Sequence, residues 1–143
     1  MKMIHIILGT RGQLIKMAPI IKELDDRNIK YNLIFLSQHG KSLKEILNLF
    51  NLKEPDIILD ERKEDITKIT EISIWTLKNL LNGLIKSKKI FKEKGGICLI
   101  HGDAPPAFLG MVLAKINKSK IAHIEAGERT YHKFNPFPEE IIR

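Results

Sequence analysis

Five short runs rich in isoleucine or leucine, each followed by a longer stretch of helical spacing, constrain this chain more than any single residue does. The runs fall at Lys2–Leu8, Tyr31–Leu36, Asp56–Leu59, Gly96–His101 and Lys120–Glu125. They mostly lack clean polar alternation, as expected of strands buried on both faces. Helices are predicted between them at Gln13–Arg27, Ser42–Asn51, Ile66–Lys92 and Pro105–Asn117, with a fifth starting near Pro138. Such alternation means βαβ units, a parallel sheet and right-handed crossovers. The expected fold class is therefore α/β: one doubly wound parallel sheet in a single domain, in strand order 3-2-1-4-5.

Local signals refine the boundaries. Ser42 with Glu45 has the spacing of a capping box. Pro105 and Pro106 suit a helix N-terminus, where a missing N–H matters little. Pro19, inside the first helical pattern, predicts a kink or an early break. A chain of 143 residues holds one domain with a proper core and is too short for two. No apolar stretch approaches a membrane span, and the amino-terminal run reads as a first strand, not a signal peptide. The single Cys98 excludes an internal disulfide and a cysteine-based zinc site, which makes a reducing cytoplasm the expected location.

The net charge of +7 raises the question of nucleic acid. The lysines are scattered among acids, and the densest patch, Lys86 to Lys94, falls at a predicted helix end where cations suit the dipole. No recognition helix, zinc finger or RNA-binding sheet signature accompanies it. A solvated face is the favoured reading, with neither nucleic acid nor membrane as partner.

Parallel sheets bind ligands beyond the carboxyl ends of their strands, where the strand order reverses. Here that point lies between strands one and four, at Gly9-Thr10-Arg11 and His101-Gly102-Asp103, with Glu125 ending the neighbouring fifth strand. Each residue also has a plainer reading. Gly9 and Gly102 could supply positive φ for turns, Lys16 could be a surface lysine, and Asp103 could cap the helix at Pro105. His123 could be a core histidine, His39 a loop residue and Trp75 packing. Glu125 resists such a reading, because a carboxylate closing an apolar strand needs a partner. The long segment from Ala126 to Phe137 is the one irregular connection, and such loops are usually functional.

Four ordered motifs carry a resemblance across the whole chain. They are Gly9-Thr10-Arg11 with Ile15-Lys16-Met17-Ala18-Pro19, His101-Gly102-Asp103, His123-Ile124-Glu125-Ala126-Gly127 with Arg129-Thr130, and Pro136-x-Pro138-Glu139-Glu140-x-x-Arg143. Together with Gln38-His39, they resemble the amino-terminal domain of the non-hydrolysing UDP-N-acetylglucosamine 2-epimerases. The resemblance implies a Rossmann-like, GT-B-type fold in which residues 1–143 are the amino-terminal half and a second Rossmann-like half lies outside them. It implies conversion of UDP-GlcNAc to UDP-ManNAc by anti elimination of UDP and its re-addition, with no metal or redox cofactor. Asp103, Glu125 and Glu139 would be the acid/base and cation-stabilising carboxylates. Thr10, Arg11, Lys16, Gln38, His39, His101 and Arg129 would bind or position the UDP-sugar, and the absent half would supply most uridine contacts and a catalytic histidine.

Departures from the family pattern include Gly12-Gln13 for Pro-Glu, Ala104 and Pro106 for hydroxyl residues, Glu128 for Leu and Ile142 for Asn. The expected partners are the sugar nucleotide, a carboxy-terminal domain or separate subunit that would cover the Phe134–Phe137 segment, and a second copy in a homo-oligomer. Two other classes stay open: the acceptor-side half of a split two-domain glycosyltransferase, and a non-catalytic remnant of the fold.

Overall fold

Every internal strand meets apolar side chains on both faces, and this is visible in the alternation along β1 (Ile4–Leu8) and β2 (Tyr31–Phe35). Ile6, Leu8, Leu33 and Phe35 join one buried cluster with Leu14, Met17 and Ile21. Ile7 and Ile34 join another with Trp75, Leu109 and Leu113. In this computed structural model, residues 2–37, 43–60, 66, 68–132 and 139–142 are described. The remaining elements are α1 (Arg11–Asp26), α2 (Leu43–Leu49), β3 (Ile57–Ile58), α3 (Ile69–Ile90), β4 (Ile97–His101), α4 (Pro105–Ile116), β5 (Lys120–Ile124) and α5 (Glu139–Ile142). The five strands lie in the order β3-β2-β1-β4-β5, and all pairs are parallel. This is the doubly wound arrangement predicted from the hydrophobic pattern, with α1 and α2 on one face and α3 and α4 on the other. No helix among the described residues is long and apolar enough to cross a membrane.

Three expectations need correction or narrowing. α1 runs unbroken through Pro19 instead of ending there. Pro19 and Ile15 both lie on the exposed face, so water can reach the Ile15 carbonyl that loses its donor, while buried Leu14, Met17, Ala18 and Ile21 hold the helix to the sheet. Gly9 is not a positive-φ position. It is small because a Cβ there would stand 2.6 Å from Pro106 Cγ: α4 begins against the exit of β1. Asp103 does not hold the N-cap of α4, which belongs to Ala104 without a side-chain hydrogen bond. Gly102 does have φ +69°, and Trp75 is 1% exposed, as packing requires. The Ser42 cap and the segment 133–138 lie outside the described residues.

Candidate active site

The order of the sheet brings the exits of β1, β4 and β5 side by side. Thr10 follows β1 and caps α1, its Oγ1 accepting from the Gln13 N–H at 3.2 Å. Its hydroxyl therefore starts the helix, and the residue as a whole is 9% exposed. Arg11 opens α1 with an exposed side chain. Lys16 stands further along the same helix and reaches over to β5, where Nζ lies 3.0 Å from both carboxylate oxygens of Glu125.

Glu125 is the first residue past β5. It holds φ +68°, left-handed backbone that a glutamate rarely adopts. That conformation opposes folding by about 1–3 kcal/mol and persists only where the surroundings impose it. Its carboxylate meets Lys16 on one side and His101 Nε2 at 3.4 Å on the other. The Lys16 hydrogen bond, outweighing partial burial, lowers the Glu125 pKa below the ordinary carboxylate value. The same bond raises Lys16, with help from the charges of Glu128 and Asp103. Asp103 thus shares the field of Lys16 with Glu125. His101 is 4% exposed; burial lowers its pKa, Lys16 and His123 reinforce this, and Glu125 opposes it. A neutral imidazole thus lies behind an ionised carboxylate.

His101 packs beneath Glu125, and His123 Nε2 meets the Gly102 carbonyl at 2.6 Å, which ties β5 to the turn that carries Asp103. A second polar junction surrounds Gln13, 4% exposed in the first turn of α1. Its Oε1 accepts from the N–H groups of Gly9 and Thr10 at 2.9 and 3.2 Å. Its Nε2 donates to the His101 carbonyl at 2.7 Å.

Beyond β5, Arg129 Nε pairs with Glu140 Oε1 at 2.7 Å, and the Thr130 N–H donates to Glu140 Oε2 at 3.1 Å. The Thr130 N–H and Arg129 hold the Glu140 pKa below its ordinary value. This clasp ties the long loop to α5, whose first residue is Glu139. Glu139 is half-buried, and its Oε2 has no hydrogen-bond partner among the described residues.

Of the residues expected from sequence, Lys16, His101 and Glu125 are in direct contact, Asp103 is within their electrostatic reach, and Thr10 and Arg11 stand at the same rim. Arg129 and Glu139 come from the loop and α5, while Gln38 and His39 lie outside the described residues. The sequence reading gave no site role to two polar residues. Gln13 was noted only as a departure from the family pattern, although Thr10-x-x-Gln13 has a capping-box spacing. Glu140 stood in the last of the four motifs with no role assigned to it.

The fold and site together define a doubly wound, Rossmann-like α/β domain with a carboxylate–lysine–histidine rim at its switch point. A family profile described as UDP-N-acetylglucosamine 2-epimerase matches residues 22–143, and the chain belongs to that family. It is 38% identical over 144 residues to the UDP-N-acetylglucosamine 2-epimerase of Campylobacter jejuni, covering 99% of this chain and 35% of that protein. Against that of Bacillus subtilis (strain 168), it is 37% identical over 139 residues, covering 96% and 34%. The crystal structure of the Neisseria meningitidis enzyme bound to UDP-GlcNAc superposes with a TM-score of 0.78 at 34% identity, over 100% of this chain and 37% of that one. The Methanocaldococcus jannaschii enzyme in complex with UDP-GlcNAc and UDP gives a TM-score of 0.78 at 31% identity, over 98% and 36%. The chain thus spans about a third of the length of these relatives.

Proposed function

We propose that this chain is the amino-terminal, chemistry-bearing half of a UDP-GlcNAc 2-epimerase, which works with a second Rossmann-like half to interconvert UDP-GlcNAc and UDP-ManNAc in the cytoplasm. The observation that carries the reading is the Lys16–Glu125–His101 contact with Asp103 beside it, on a chain of this family. The C2 proton of the sugar is weakly acidic, so its removal needs a carboxylate that is already ionised and held in place. Glu125 meets both conditions. As the C1–O bond to UDP lengthens, positive charge grows at C1 and the ring oxygen, and a second carboxylate such as Asp103 or Glu139 stabilises it. The departing diphosphate is a better partner for Lys16 than one carboxylate is. Transfer of Lys16 from Glu125 to the diphosphate would release the base as the leaving group is neutralised. Arg11, exposed at the start of α1, supplies further positive charge, and Arg129 holds the loop that presents Glu139. Gln38 and His39 complete the proposed substrate contacts.

The second partner is another copy of the chain. Ile74, Leu77, Leu81 and Leu84 are exposed on α3 at alternating spacings of three and four, with Ile85 82% exposed beside them. That is the spacing of a helix–helix seam, and such a stripe on a surface marks an interface. Light scattering should find a dimer that Leu77→Glu with Leu81→Glu converts to monomer; a monomer at high concentration would remove this part.

The activity is tested in an enzyme that joins these residues to a second Rossmann-like half, fused or separate. In deuterated water, the interconversion should place deuterium at C2 of both sugar nucleotides. Glu125→Gln and Asp103→Asn should each slow turnover by roughly 10²–10⁴-fold, the usual reach of acid–base groups. Interconversion without exchange at C2 would refute the elimination route, and turnover by the 143-residue chain alone would refute the need for a second half.

A further inference from the structure

We infer that His123 is a positioning residue for this site: its ring stands in for a missing rung of the sheet and so fixes the turn carrying Asp103 against the strand end carrying Glu125. The inference rests on the reading of the rim as catalytic, but the contact stands by itself. His123 Nε2 lies 2.6 Å from the Gly102 carbonyl oxygen, across 21 positions of sequence. Gly102 is the residue between β4 and Asp103, and His123 belongs to the strand that Glu125 follows.

The need for a side-chain donor follows from the ladder. β4 and β5 pair in parallel from Ile97 with Lys120 to His101 with Ile124. The Gly96 carbonyl accepts from the Lys120 N–H at 2.8 Å, and the Gly102 N–H donates to the Ile124 carbonyl at 2.9 Å. Bonds in a parallel ladder are evenly spaced, so the next rung would join the Gly102 carbonyl to the Ala126 N–H. Glu125 turns the chain into left-handed backbone, φ +68°, before that rung is reached. A backbone carbonyl withdrawn from water needs a partner, and the His123 ring supplies it. Gly102, itself at φ +69°, is thus held by β5 at both its N–H and its carbonyl. A Cβ there would stand 4.0 Å from Glu125 Oε2, so the clamped turn runs beside that carboxylate.

The strain that presents Glu125 and the ring that steadies Asp103 are parts of one arrangement. The left-handed turn removes a backbone donor, and His123 returns a donor to the same oxygen. Because a carbonyl only accepts, Nε2 must carry the hydrogen, and the neutral ring is the Nε2–H tautomer. His123 acts through Gly102 and not on the sugar, so it has to donate and to reach, and nothing more. A glutamine amide can also donate from its Nε2, whereas leucine fills similar space and donates nothing. Those two variants separate positioning from proton transfer.

The test begins with the 143-residue chain. Heteronuclear NMR of the imidazole, at a pH where the ring is neutral, should show the Nε2–H tautomer for His123. The Nδ1–H tautomer would overturn the inference, since that ring could not donate to Gly102. In His123→Leu the Gly102 carbonyl carbon signal should shift upfield, and the Gly102 amide should exchange roughly tenfold faster, as for loss of about one hydrogen bond. In His123→Gln both should stay close to the parent. In the assembled two-half enzyme, His123→Leu should lower kcat by roughly 10–10²-fold with KM for UDP-GlcNAc little changed, the cost of a misplaced carboxylate. His123→Gln should recover most of that loss. Unchanged kcat in a folded His123→Leu enzyme, a rise in KM alone, or equal losses in the two variants would overturn the positioning role. Should His123→Leu fail to fold, the tautomer and His123→Gln decide, and a His123→Gln enzyme without turnover overturns the inference. The NMR results need no turnover, so failure of the epimerase reading and failure of this one are separate outcomes.

Discussion

Asp56, just before β3, and Glu125, just past β5, each present a paired carboxylate at opposite edges of the sheet. Asp56 is built in. Its Oδ2 accepts from the Leu33 N–H and from Lys53 at 2.9 and 2.7 Å, and its Oδ1 accepts from Lys92 at 2.5 Å. Burial alone would raise its pKa, but these donors prevail and bring it down to about 2. Glu125 is held differently. Its main partner, Lys16, has a side chain 57% exposed, its backbone is in left-handed space, and its other neighbour is a histidine that burial keeps neutral. The first carboxylate uses its donors to fasten one strand to the next. The second is held by a partner that a ligand can take away, on backbone that would relax if it could. A structural carboxylate and a chemical one are told apart by how replaceable their partners are, not by whether they are paired.

The comparison can be broken at three points. Asp56→Asn should lose the most stability, about 2 kcal/mol, because Lys53 and Lys92 are left facing a neutral amide. The same linkage gives the sign with pH. The folded pKa is depressed from 3.8 to about 2, so the contribution is full above 3.8 and disappears as pH falls through 2. Urea melts of parent and variant should converge over that window. A variant as stable as the parent at pH 7 would show that Asp56 is no more than a surface pair.

Glu125→Gly should move the other way. Relief of left-handed strain, less the added freedom of the unfolded chain, predicts a gain of up to about 1 kcal/mol together with loss of the chemistry. A clear loss of stability in the melt would mean that Glu125 is structural after all. Lys16→Met should leave stability nearly unchanged, as for most exposed pairs, while the Glu125 carboxyl titrates upward in NMR. A large stability loss here would erase the contrast with Asp56.

How much of this was legible follows from the range of each interaction. The strand order and the two-faced core were readable because parallel strands buried on both sides show as unbroken apolar runs. The edge strand was less so: Asp56–Leu59 was expected, and only Ile57–Ile58 pairs, since one neighbour supports fewer ladder bonds. The exits of β1, β4 and β5 could be placed on one rim from topology. The Lys16–Glu125 contact could not, because it spans 109 positions and depends on how far a side chain reaches, which spacing does not encode. Pro19 misled because the break expected there assumed no outside support. Gly9 misled because its constraint comes from Pro106, 97 positions away by their numbering in the chain. Gln13 was visible as a cap, yet its second role, on the His101 carbonyl, belongs to the tertiary structure alone.

The contact of Gly9 with Pro106 also bears on how this segment can vary. Gly9 and Gly12 are three positions apart and look interchangeable in sequence. At position 9 any Cβ would meet Pro106 at 2.6–2.7 Å and Leu36 at 3.2 Å, so every substitution must push α4 off the sheet or bend β1. At position 12, in the exposed first turn of α1, a Cβ meets nothing within 4 Å, and alanine there would favour the helix by up to about 1 kcal/mol. In a population of random variants selected for folding, the first position should stay a single letter while the second drifts freely, two opposite mutational fates within one turn of chain.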